Sequence, residues 1–86
     1  MIQEIDIEHG QASALNDYGF CVVKGKYTVE DIVICSEMCH RWDGDDYDMV
    51  GETYYIKQTT EVLSVQTDDL GSHKNSYSVL KFISKQ

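Results

Sequence analysis

Three strand-like segments occupy most of the second half of this 86-residue chain and limit it to folds that contain a sheet. They are rich in aromatic and β-branched residues and cover residues 52–58, 61–66 and 76–84. Thr59 and Thr60 separate the first two segments, which predicts a tight hairpin. Residues 67–75 carry Asp, Gly and Asn and predict a longer hairpin between the last two.

The first half of the chain predicts two further strands. Ile5 and Ile7 alternate with acidic residues, which is the period of a short, half-exposed strand. Residues 18–24 are aromatic and β-branched, end before Gly25, and predict a strand in the core. Between them, residues 10–16 are small and polar with one leucine, which favours a loop or a single helical turn.

Residues 28–43 predict the main helix. Thr28 is a helix-capping residue, and Asp31 stands at the reciprocal position of a capping box. At 100° per residue, six side chains then fall within one arc that could pack on a sheet: Val29, Ile32, Cys35, Met38, Cys39 and Trp42. Val33 and Ile34 lie off this arc, so a buried strand through residues 31–35 is the alternative.

These segments together predict an α+β fold. One main helix, about 28–43, would pack on a mostly antiparallel sheet of four to five short strands. Proline, linkers and repeats are absent from the sequence, so residues 1–86 are expected to form a single domain.

The negative charge of the chain is concentrated in one segment. Residues 30–52 contain eight acids and one base, a net charge of −7 out of −8 for the whole chain. Such a segment attracts a basic partner and repels nucleic acid and anionic membranes. The eight acids and two aromatics among them are the predicted partner-binding residues: Glu30, Asp31, Glu37, Trp42, Asp43, Asp45, Asp46, Tyr47, Asp48 and Glu52.

Metal binding and catalysis have weaker support in the sequence. The acids at 43–48 could attract calcium, but Tyr47 occupies the third ligand position of an EF-hand loop, and Asp48 occupies its glycine position. Cys35, Cys39 and His40 could attract zinc, but their spacing is not that of a structural zinc site. No grouping of nucleophile, base and orienting residue is recognisable, so we expect no enzyme activity and no cofactor.

The sequence also predicts where the protein resides. Three cysteines in a small domain are typical of a reducing compartment rather than of a disulfide scaffold. The first ten residues lack a basic start followed by an apolar stretch, so no signal peptide is expected. A cytoplasmic protein that does not enter a membrane is therefore predicted.

In profile, the chain resembles the small acidic phage-encoded inhibitors of host defence, the anti-CRISPR and anti-restriction proteins. The acids from Glu30 to Glu52 carry the resemblance, above all the run from Trp42 to Asp48. It implies a non-enzymatic inhibitor that binds a basic nucleic-acid-binding protein or complex and does not itself bind nucleic acid. Immunity proteins against nuclease toxins share the profile. A homodimer, a small domain that binds calcium or zinc, and a homo-oligomeric regulatory domain also fit the sequence.

Overall fold

A computed structural model describes residues 2–41, 51–70 and 73–85, including their side chains except those at 69, 70 and 73. Its elements, in chain order, are β1 (Ile2–Ile7), α1 (His9–Tyr18), β2 (Phe20–Lys24), β3 (Ile32–Arg41), β4 (Glu52–Leu70) and β5 (His73–Lys85).

The strands form one five-stranded sheet in the order β1-β3-β4-β5-β2. β1 pairs with β3 in parallel, and the other three pairs are antiparallel. The α+β class, with one helix on a mostly antiparallel sheet, is therefore confirmed. The strands predicted around Ile5 and Ile7 and over residues 18–24 are present as β1 and β2. β1 and β2 form the two edges of the sheet, since each pairs on one side only.

The helix predicted over residues 28–43 is wrong. Residues from Ile32 to Arg41 form β3, a central strand paired on both sides, which agrees with the alternative strand through residues 31–35. The segment contains apolar residues at both helical and strand periods, so local periodicity did not decide between them. Three consecutive β-branched residues and two flanking strands favour the extended form.

The helix lies instead at His9–Tyr18, where the sequence indicated a loop or one turn. It starts with a capping box in which the Glu8 backbone N–H donates to Gln11 Oε1 at 2.8 Å. It ends at Gly19, whose φ of 82° is in the left-handed region that glycine adopts without a Cβ penalty. Ala12 and Leu15, three residues apart, form its buried face.

The tight hairpin predicted at Thr59 and Thr60 is also wrong, because β4 continues through both residues. Thr60 is fully buried, and its Oγ1 donates to the Val33 carbonyl at 2.8 Å. Register shifts between Thr59 and Thr60 and between Val62 and Ser64 mark bulges in the β4–β5 ladder. The hairpin between β4 and β5 is confirmed, but the long turn predicted over residues 67–75 is wrong, because β4 continues to Leu70 and β5 begins at His73, and these two residues pair. The two strands, of 19 and 13 residues, are also not short.

The two faces of the sheet differ. On one, which we call the covered face, α1 contributes Ala12 and Leu15 to a core with seven strand residues: Ile7, Cys21, Val23, Val33, Cys35, Val62 and Leu80. The alternate side chains of the strands make up the other, which we call the open face. Five of its large apolar side chains are 44% to 68% exposed: Ile2, Phe20, Val22, Met38 and Tyr55.

Candidate functional site

The acidic segment leaves and rejoins the sheet at one place. β3 ends at Arg41 and β4 begins at Glu52, and these two residues are paired in the ladder. The connection between them therefore starts and finishes at the same end of two neighbouring strands. Six predicted partner-binding residues belong to this connection and lie outside the described residues: Trp42, Asp43, Asp45, Asp46, Tyr47 and Asp48.

Glu30 and Asp31 lie at the opposite end of β3. Asp31 N–H donates to the Thr28 carbonyl in a turn, and Glu30 N–H donates to the Val62 carbonyl. The ten residues of β3 separate this turn from Arg41, a distance of about 33 Å for an extended strand. The structure therefore does not bring Glu30 and Asp31 together with Glu52.

Glu37 lies on the covered face and is only 8% exposed. Its Oε1 is 3.2 Å from Cys39 Sγ and 3.3 Å from Nδ1 of His9, the first residue of α1. Since both neighbours approach the same carboxylate oxygen, Glu37 links β3 to the start of the helix. Its burial and these contacts leave little of the carboxylate available to a partner protein.

A groove that the sequence did not predict lies on the open face, toward the end of β3 and β4 that residues 42–51 connect. We call residues 42–51 the acidic connection. The groove has a volume of about 250 Å³ and is lined by the open-face residues Asp6, Ser36, Met38 and Tyr55 and by Ile7, the last residue of β1, which also belongs to the core of the covered face. We call this groove the Asp6 groove. Asp6 pairs with Ser36 across β1 and β3, and Met38 pairs with Tyr55 across β3 and β4. Three adjacent strands thus place a carboxylate, a thioether and a phenol around one depression.

The negative charge of the groove comes from Asp6. Glu4, the previous acid on the same side of β1, forms an ion pair of 2.9 Å with Lys57 on β4. Asp6 has no ion-pair partner within the part of the chain that the structure describes. Its alternation with Ile5 and Ile7 indicated that it points away from the core. Its proximity to Met38 and Tyr55 could be found only from the pairing of β1, β3 and β4.

The three cysteine thiols are poorly suited to nucleophilic chemistry. Burial raises the pKa of Cys21 to about 12 and also raises the pKa of Cys35. The Glu37 carboxylate, accepting a hydrogen bond from the thiol, raises the pKa of Cys39. All three thiols stay protonated near neutral pH, whereas the thiolate is the reactive form. In the described residues, no three His, Cys, Asp or Glu side chains are placed to hold a metal ion.

Comparison of the chain with protein-family models, with curated proteins and with solved structures finds no match. Within the described ranges, no helix is both long enough and apolar enough to cross a membrane.

Proposed function

We propose that the protein is a non-enzymatic inhibitor that binds the basic, nucleic-acid-binding surface of a host-defence nuclease or CRISPR-type complex and blocks access of nucleic acid to it. The observation that carries the proposal is the net charge of −7 in residues 30–52. The pairing of Arg41 with Glu52 supports it, since both ends of the most acidic stretch are anchored at one point of the sheet. Carboxylates held there could occupy contacts that phosphates make in the partner.

Charge pairs of this kind accelerate association and weaken as salt screens them. The tagged protein is therefore to be incubated with a bacterial lysate and the bound material eluted with a salt gradient. Recovery of a basic nuclease or a CRISPR-type complex at moderate salt supports the proposal. Recovery of a nuclease toxin instead identifies an immunity protein with the same mechanism. A bait that retains no basic nucleic-acid-binding protein at low salt contradicts both.

The role of the acidic connection is tested by replacing Asp45 and Asp46 with lysine. This variant should abolish inhibition of the recovered partner, because it places positive charge against a basic surface. The matched control replaces Asp17 and Asp68, two exposed acids on α1 and β4, and changes the net charge equally. The control should inhibit normally. Equal inhibition by both variants would rule out the acidic connection as the binding element.

The open face favours a second candidate, a homodimer. Five large apolar side chains of this face are 44% to 68% exposed, and they come from four of the five strands. Exposed apolar side chains such as Phe20 and Val22 are commonly covered in an assembly.

Sedimentation velocity over a range of protein concentrations tests the homodimer. Val22→Lys should weaken the dimer at least tenfold, because it buries an unpaired charge. Val29→Lys is the matched control, since Val29 is 51% exposed in a loop and Val22 is 54% exposed on the open face. A monomer at every concentration contradicts the dimer, and an equal effect of both variants contradicts its placement on the open face.

A further inference from the structure

We infer that the Asp6 groove binds the guanidinium group of an arginine side chain from the partner. The inference rests on the proposed function, because it assumes a basic partner. It extends that function by assigning a subsite outside the acidic segment. The groove lies on the same end of β3 and β4 as the acidic connection. Met38 and Tyr55 are each three residues from Arg41 and Glu52, or about 10 Å along the strands.

The first requirement for a guanidinium site is a carboxylate that is not already neutralised. Lys57, which pairs with Ser36 in the ladder, forms its ion pair with Glu4 at 2.9 Å, and among the described residues none forms an ion pair with Asp6. A carboxylate presents two oxygens that match the fork of guanidinium N–H donors. Ser36, 3% exposed and paired with Asp6, contributes a short polar side chain to the lining of the groove.

The second requirement is an apolar surface on which the planar cation can stack. Met38 and Tyr55 are 56% and 57% exposed, and they face each other as register partners on β3 and β4. An arginine stem can pack on the thioether while its guanidinium lies on the phenol ring, a contact that arginine makes more often than lysine. Covering these two side chains would also remove apolar surface from water.

The arrangement disfavours other ligands. An anionic group would be repelled by Asp6, the acid that lines the groove. A divalent cation would find one carboxylate, whereas such ions need several oxygen ligands. An uncharged apolar side chain could contact Met38 and Tyr55 but would leave Asp6 with a desolvated charge.

The test uses the full chain labelled with ¹⁵N and with ¹³C at the methionine methyl groups. It is titrated with a blocked tetra-arginine peptide and with the same peptide carrying citrulline, which keeps the shape and removes the charge. The Met38 methyl and the Tyr55 and Ser36 amides should shift with arginine and not with citrulline. Asp6→Asn and, separately, Tyr55→Leu should each raise the dissociation constant about two- to fivefold. Asp17→Asn, an exposed acid on α1, is the control of equal charge and should leave it unchanged.

The outcomes separate the groove from the proposed function. Shifts at Met38 and Tyr55 that Asp6→Asn weakens and Asp17→Asn does not weaken support the groove, whatever the lysate experiment recovers. Equal weakening by the two variants overturns it, as do shifts confined to residues 42–50. The Asp45 and Asp46 variant, assayed for inhibition of the recovered partner, reports on the proposed function alone. If the Asp45 and Asp46 variant loses inhibition while the arginine peptide causes no shifts at Met38 and Tyr55, the proposed function stands and the arginine subsite is ruled out.

Discussion

Replacing Leu15 with alanine should remove a large part of the stability of this protein. Leu15 is the largest buried side chain of α1 and is 1% exposed, and the other buried residue of the helix is Ala12. Removing a fully buried leucine side chain to the β-carbon costs about 3–4 kcal/mol, counting both transfer and cavity. A domain of this length has a free energy of unfolding of about 4–13 kcal/mol. The substitution therefore removes between a quarter and nearly all of it.

Urea denaturation followed by far-ultraviolet circular dichroism measures this loss. The matched control is Leu63→Ala, because Leu63 lies at a bulge of β4 and is 49% exposed. The control should change the free energy of unfolding by less than about 0.5 kcal/mol. If Leu15→Ala costs less than about 1 kcal/mol, or no more than Leu63→Ala, α1 does not close the core as described. The assignment of the covered face would then be wrong.

Three further predictions concern buried polar and ionisable groups. Burial raises the Cys21 pKa from 9.0 to about 12, so between these pH values the folded protein keeps a proton that the unfolded chain loses. The urea midpoint should therefore be unaffected by this group below pH 9 and fall as the pH rises above 9. In Cys21→Ala, the midpoint should fall less over the same pH range. Glu37→Gln removes the carboxylate that raises the Cys39 pKa, so iodoacetamide should alkylate Cys39 faster at about pH 8; an unchanged rate contradicts that cause. Gln58 is 1% exposed, its Nε2 donates to Asn16, and its Oε1 is buried with no partner in the described structure. Gln58→Met should therefore leave the free energy of unfolding unchanged or raise it by about 1 kcal/mol, and a loss of about 2 kcal/mol would show that this amide is satisfied.

The sequence predicted the strands of this fold better than its helix. β1, β2 and much of β4 and β5 follow alternation or β-branched composition. The helix was misplaced because the capping signal at Thr28 and the apolar arc after it fit a helix locally. The residue that caps α1 is Glu8, which is not among the usual capping side chains, and the helix buries only two residues. Such a short element depends on its packing against the sheet more than on its own propensity.

The candidate site was predicted in part. Charge counting identified the acidic segment, since net charge does not depend on the fold. The misplaced helix grouped Glu30, Asp31 and Glu37 with the acids that follow them. As a strand, the same segment sends Glu37 to the covered face and holds Glu30 far from Glu52. Asp6 was not a candidate, because its neighbours in the groove come from strands distant in sequence.

The sequence by itself determined the class of the fold, the concentration of negative charge in residues 30–52 and the outward orientation of residues such as Asp6. These properties follow from composition and from the two-residue period of a strand, both of which are local. The tertiary structure alone decided that β3 is extended, that α1 packs on one face of the sheet, and that Asp6, Met38 and Tyr55 line one groove. Each of these depends on which strands pair, and pairing is set by the burial that the whole sheet gains, which no single segment encodes.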